Sequence, residues 1–156
     1  MLLSLHAYAG DNEYLQQLQN RARELNLAQR QEWLNLLHYK PYPLWPKGRS
    51  LADGAAFFNA QDGKTDPEAE LNATLAAFFS DRQETNEQQN PQCSFIARYH
   101  WLDARLKFDS ARLIKQRCPR FEAWRAALNP HEATLVFPAA YLNNPASMYG
   151  HTLIRI

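Results

Sequence analysis

Scarcity in this sequence excludes several classes of protein. Two cysteines in 156 residues are too few for a disulfide-dense miniprotein or a four-cysteine zinc site. Neither sign of charge is in excess. The 17 basic and 16 acidic side chains leave a net +1, whereas a nucleic-acid-binding domain shows a clear basic surplus or stripe, so no nucleic acid is expected as partner. No apolar run approaches the roughly 20 residues of a membrane-spanning helix, so no transmembrane segment is expected. The five glycines form neither a phosphate-cradling loop nor a nucleophile elbow. His38, His100 and His131 share no metal-ligand spacing; neither a metal nor a cofactor is expected.

What remains is a chain with 46% hydrophobic and 12% aromatic residues, enough to bury a core at this length. The spacing of Leu15, Leu18, Ala22 and Leu25 predicts a helix over 12–25, with Asp11 as its cap. A second helix is expected over 28–39, carrying Trp33, Leu34 and Leu37 and ended by Pro41, Pro43 and Pro46. Residues 41–63 read as loop, with a strand or helical turn at 55–58, and with Tyr42, Trp45, Phe57 and Phe58 packed onto the core. The third helix has the firmest local signal. Asp66 can cap it, Pro67 suits its first position, Glu68 and Glu70 complement its dipole, and Leu71, Leu75, Phe78 and Phe79 form the apolar stripe.

Residues 81–92 contain no large apolar side chain and read as an exposed loop. Phe95, Tyr99, Leu102 and Leu106 predict a fourth helix. Further helical pieces are expected over 110–116 and around Phe121, Trp124 and Leu128, the last ended by Asn129-Pro130. Residues 133–137 and the final six then read as strands. The fold class is therefore α+β: a predominantly helical N-terminal region followed by the first strands of a sheet.

The two ends carry expectations of their own. Leu2-Leu3-Ser4-Leu5 followed by Ala7-Tyr8-Ala9 has the form of a signal-peptide tail and its cleavage site, lacking the basic start; export would permit disulfides. The alternation His151-Thr152-Leu153-Ile154-Arg155-Ile156 is a strand pattern with no closing turn. The expected organisation is a truncated signal-peptide tail at 1–9, a helical region at 10–130, and at 131–156 the start of a truncated α+β domain.

Three residues are candidates for chemistry. Cys93 and Cys118 stand 25 positions apart. A disulfide between them would remove roughly 3.5 kcal/mol of unfolded-state entropy. Alternatively Cys93, near a helix start, is a nucleophile with its thiol pKa lowered by the dipole. His151 opens a strand after Gly150 and a loop rich in Asn and Pro, a position suited to a general base; the competing reading is a histidine hydrogen-bonded to that loop.

The segment from Phe137 to Ile156, FPAAYLNNPASMYGHTLIRI, closely resembles part of a family of bacterial envelope proteins, that of the Lnb N-terminal periplasmic domain. Similar in kind are Trp33-Leu34 with Leu36-Leu37-His38-Tyr39, Asp66-Pro67-Glu68 with Glu70-Leu71, Cys93 with Ala97-Arg98 and Trp101-Leu102, and Cys118-Pro119 with Trp124. On these blocks the resemblance extends over nearly the whole chain from about residue 12. It implies an exported Gram-negative protein, periplasmic or associated with the outer membrane. It also implies a histidine strand followed much later by an Asn-Cys-Ser segment, the order of a circularly permuted papain-like thiol hydrolase. His151 would be its catalytic base, and Cys93 and Cys118 a structural disulfide. No Asn-Cys-Ser occurs here, so this stretch alone is expected to be inactive.

Two functional readings follow. In one, the intact protein is a cysteine hydrolase or acyltransferase of the envelope, acting on an unknown substrate with His151 as base. In the other, it is a non-catalytic periplasmic binding or scaffold module for an unknown envelope partner.

Overall fold

The computed structural model describes residues 3–42, 45–82, 85, 89–136 and 153–155. The chain divides into two compact units, Met1–Arg117 and Cys118–Ile156. The first contains helix α1 (Leu3–Glu24), a 3-10 turn (Leu27–Gln29), α2 (Gln31–Leu36), strands β1 (Tyr39–Tyr42) and β2 (Trp45–Ser50), a second 3-10 turn (Ala55–Phe57), α3 (Pro67–Ala77), the single-turn α4 (Pro91–Ser94) and α5 (Ile96–Leu106). The second contains α6 (Pro119–Leu128) and strands β3 (Thr134–Val136) and β4 (Leu153–Arg155). The fold is α+β and dominated by helices.

Helix α1 begins well before the expected Asn12, so Asp11 lies inside the helix instead of capping it. Its buried stripe is Tyr14, Leu18 and Ala22, with Leu15 and Leu25 at the edge of the core. The stripe is rotated toward the aromatic because Tyr14 satisfies its hydroxyl there: it accepts from the Asp109 backbone N–H at 2.7 Å. Asn26, in the left-handed conformation at φ 51°, ends the run.

The single helix expected over 28–39 is broken in two and stops at Leu36. His38 takes φ 56° and reverses the chain into β1. Trp33 and Leu37 are fully buried, as their spacing requires. The Trp33 indole N–H donates to the Pro67 carbonyl at 2.9 Å.

Residues 39–50, expected as the end of a helix at Tyr39 and as loop from Pro41, form an antiparallel hairpin pairing Tyr39 with Ser50, Lys40 with Arg49 and Tyr42 with Trp45. Prolines hid it. A two-stranded sheet has only edges, where a missing N–H is tolerated, and Pro41 falls at the irregularity between Lys40 and Tyr42. Gly48 sits at φ 71°, and a Cβ there would stand 2.9 Å from the Lys40 carbonyl oxygen. The base of the hairpin is fastened by Ser50, whose hydroxyl donates to Leu37 O at 2.6 Å, and by Leu51 N–H to His38 O at 3.0 Å.

Helix α3 forms as its local signal predicts. Asp66 accepts from the N–H groups of Glu68 and Ala69 at 2.9 and 3.0 Å. Leu71, Leu75 and Phe78 are buried, with Leu37, Trp33 and Leu102 completing the centre of the core. In α5, Tyr99 and Leu102 are buried as expected. Phe78, Tyr99 and Phe108 meet as a ring cluster, with centroid distances of 5.3 to 6.4 Å.

The end of the polar 81–92 stretch is not an exposed loop: Asn90 and Gln92 are buried. Gln92 donates to the carbonyls of Phe78 and Ile114 and accepts from Gln116 N–H at 2.9 Å. Asn90 caps α4 and donates to Arg82 O at 2.7 Å. Residues 83, 84 and 86–88 of that stretch lie outside the described residues. The helix expected over 110–116 is one turn, held by Asp109.

In the second unit α6 buries none of its residues and ends at Asn129, φ 42°. The two expected strands pair with each other, antiparallel, with Thr134 opposite Arg155, Leu135 opposite Ile154 and Val136 opposite Leu153. Phe137 and Ile156 lie outside the described residues.

Two predictions test this account. Asp66→Ala removes the α3 cap and is expected to cost about 1 kcal/mol in a urea melt. The second concerns alkali. Tyr39 donates to Gly63 O at 2.8 Å. Burial, then the charges of Asp66, Glu70 and Asp62, raise its phenol far above its ordinary value; Tyr99 is raised by burial, Asp103 and Tyr14. A folded-state pKa above the unfolded one, about 10, means stability that is full below that pH and lost as pH rises through the folded value. Stability should therefore fall steeply above about pH 10, and Tyr39→Phe should flatten that fall when denaturant midpoints are compared across the alkaline range.

Candidate functional site

The most chemically loaded place in the helical unit is a buried ion pair that sequence reading did not single out. Glu70 on α3 and Arg98 on α5 are 2.6 Å apart, with side chains 0% and 4% exposed. Glu70 lies in the first turn of α3, as expected, but its carboxylate is also engaged by the 59–60 backbone. Its carboxylate accepts from the backbone N–H of Asn59 at 3.0 and 2.9 Å, from Ala60 N–H at 2.8 Å, and from the Thr74 hydroxyl at 3.2 Å. The Asn59 side-chain amide donates to Glu70 at 3.4 Å and to Thr74 at 3.1 Å.

Arg98 donates its other terminal nitrogen to Phe57 O at 2.8 Å. Its guanidinium carbon lies 4.7 Å from the Phe57 ring centroid and 4.5 Å from that of Phe95. Burial pulls the arginine pKa down, while the charge and hydrogen bond of Glu70 pull it back up. The pair is thus a mutually neutralised node whose carboxylate accepts from backbone and side chains on several sides. A carboxylate with this many donors has no lone pair left with which to take a proton from a substrate.

Beside the node lies a shallow groove, lined by Leu36, Phe57, Phe95, Ile96, Ala97 and Arg98 among others. The Trp33 ring stacks on that of Trp101, with centroids 5.6 Å apart and the planes at 28°. Arg105 covers Trp101 at 4.1 Å and pairs with Glu32 at 3.1 Å. The Trp101 indole nitrogen is buried with no hydrogen-bond partner among the described residues.

The candidates named from sequence do not gather here. Both cysteines are disulfide-bonded and neither is free. Cys93 as a nucleophile is therefore overturned, since a disulfide sulfur carries no thiolate. His151 lies outside the described residues, two positions before β4. His100 is exposed on α5, and His38 meets the Phe57 ring edge-on at 5.6 Å. Among the described residues no three His, Cys, Asp or Glu gather as a metal-binding group.

A signal for the node was present. Arg98 lies three residues after Phe95 and four before Leu102, inside the stripe of α5, and Glu70 abuts the stripe of α3. A charge within an apolar face asks for a buried partner.

An oxidised, helix-led α+β fold of this kind suits a protein of the cell envelope. The chain belongs to the family described as domain of unknown function DUF7843, whose model matches residues 25–105. Residues 120–156 match the Lnb N-terminal periplasmic domain. The similarity to that domain is therefore confined to the second unit, and the helical blocks at Trp33, Asp66 and Cys93 belong to a different family model. No curated protein and no solved structure matches the chain.

The node generates a test. Glu70→Gln or Arg98→Met each leaves a buried charge unpaired and should cost about 3–5 kcal/mol. The double variant should cost less than the sum of the two in chemical denaturation. A Cβ at Gly63 would fall 2.4 Å from Glu70 Oε2 and 3.0 Å from the Phe58 ring, whereas Gly54 has nothing within 4 Å. Gly63→Ala should thus lose about 1–3 kcal/mol, and Gly54→Ala less than about 0.5 kcal/mol.

Proposed function

We propose that the chain is a periplasmic module in which the helical unit is an oxidised scaffold and not itself a catalytic centre. The observation that carries this reading is the saturation of Glu70. The buried acid and base of the unit are spent on each other and on the 57–60 backbone. The oxidised cysteines point the same way, because a disulfide persists in the periplasm and not in a reducing cytosol. The match of residues 120–156 to a periplasmic domain supports the same compartment. The narrower location, association with the outer membrane, is part of this proposal.

A second reading concerns His151 alone. The family match spans it, and β4 follows it closely. In this reading a cysteine further along a longer gene product attacks an acyl carbon. His151 takes the thiol proton as the carbon–sulfur bond forms and returns it to the leaving amine or alcohol; water then hydrolyses the thioester. The papain-like arrangement and the disulfide's structural role are both elements of this reading.

The two readings separate experimentally. Reducing the purified chain should lower its unfolding free energy by about 3.5 kcal/mol, and a reduced protein of unchanged stability would remove the scaffold's covalent element. For the second, His151→Ala in the longer gene product should abolish labelling by a thiol-reactive substrate mimic; unchanged labelling kinetics would leave the scaffold reading alone.

A further inference from the structure

Helix α6 has ten residues and fully buries none of them: Phe121 and Leu128 are half-buried and the other eight are exposed. Phe121, Trp124 and Leu128, at steps of three and four, share one stripe. The rings of Phe121 and Trp124 lie 5.8 Å apart, and Trp124 is 57% exposed. Arg120 and Arg125 fall about 70° to either side of that stripe at 3.6 residues per turn. The back of the helix carries Ala123 and Ala126, small side chains that present little apolar area. In the same unit Leu135 and Ile154, partners across the β3–β4 ladder, are 53% and 69% exposed.

An aromatic stripe bordered on both edges by arginines is the pattern of a helix lying in a lipid interface. The tryptophan enters the headgroup boundary, and the arginine stems spread along the apolar surface while their heads meet phosphate. A polypeptide partner covering the stripe would be expected to match the two arginines with carboxylates. The only acidic residue of α6 itself is Glu122, on the far side.

We propose that α6 is an interfacial helix that seats the protein on an anionic lipid surface through Phe121, Trp124 and Leu128, with Arg120 and Arg125 on lipid phosphates. The biological setting rests on the periplasmic reading above, since the periplasm is bounded by two lipid surfaces; the physical binding does not.

The test uses the whole chain with phosphatidylcholine vesicles, with and without phosphatidylglycerol, followed by co-sedimentation. Binding is expected only with phosphatidylglycerol and should weaken in high salt. Arg120→Gln with Arg125→Gln should weaken it roughly 25-fold, about fivefold for each arginine. Trp124→Ala should weaken it at least roughly tenfold. Because Arg120, Trp124 and Arg125 are exposed, these variants should melt as the wild type does. The wild-type protein failing to bind, or the variants binding as it does, would overturn the proposal. So would Trp124 being shielded from acrylamide before any vesicle is added, because protein would then already cover the stripe. A periplasmic location disproved by fractionation, with vesicle binding intact, would sink the compartment and leave the lipid surface standing.

Discussion

The helical unit depends on the contact between Glu70 and Arg98. Two ions taken out of water cost several kcal/mol each, and their attraction offsets that only when the remaining donors and acceptors are also met. Here they are met by backbone. Asn59 and Ala60 give their N–H groups to Glu70, and Phe57 gives its carbonyl to Arg98. The pair thus does for the irregular 57–60 segment what a neighbouring strand would do in a sheet: it satisfies buried peptide groups that have no ladder. That segment in turn carries Phe57 onto the guanidinium and Phe58 against Gly63. Removing either ion would leave both a naked charge and unpaired backbone.

The same device recurs around the core. Gln92 ties the end of α3 to the chain near Ile114 and Gln116, Trp33 ties α2 to the first residue of α3, and Tyr39 ties the hairpin to Gly63. Apart from α1, the helices of this unit are short, the longest having 11 residues. Helices of that length are marginal on propensity alone, so tertiary packing and these buried polar links must hold them. The interior is correspondingly specific: polar groups aimed at particular carbonyls tolerate few alternative arrangements.

Legibility in the sequence followed the range of the interaction. Helix α3 could be read because its cap, its proline and its stripe all lie within a dozen residues. Helix α5 was visible from Phe95, Tyr99 and Leu102. The hairpin was not, because Pro41, Pro43 and Pro46 argue against strands unless both strands are edges, and edge status is a property of the assembled sheet. His38 stopping α2 at a positive φ has no local marker, since histidine is an ordinary helix residue. The ion pair joins positions 28 apart, and nothing near Glu70 says which cation it will meet. For the candidate site, the sequence offered His151 and two cysteines. Both cysteines are disulfide-bonded, while the node rested on charges whose meaning only packing reveals.

The two units handle polar and apolar surface differently. In the first, Glu70 and Arg98 are drawn inward and closed off and Trp33, Phe78 and Leu102 are covered, although Leu51 and Ile114 stand exposed. In the second, Trp124, Leu135 and Ile154 remain open to solvent. Exposed apolar surface of this kind, Trp124 on α6 and Leu135 with Ile154 on the strand pair, is favourable only when something else removes it from water. In the helical unit the buried Glu70–Arg98 pair is committed to the fold, its donors and acceptors taken up by the 57–60 backbone.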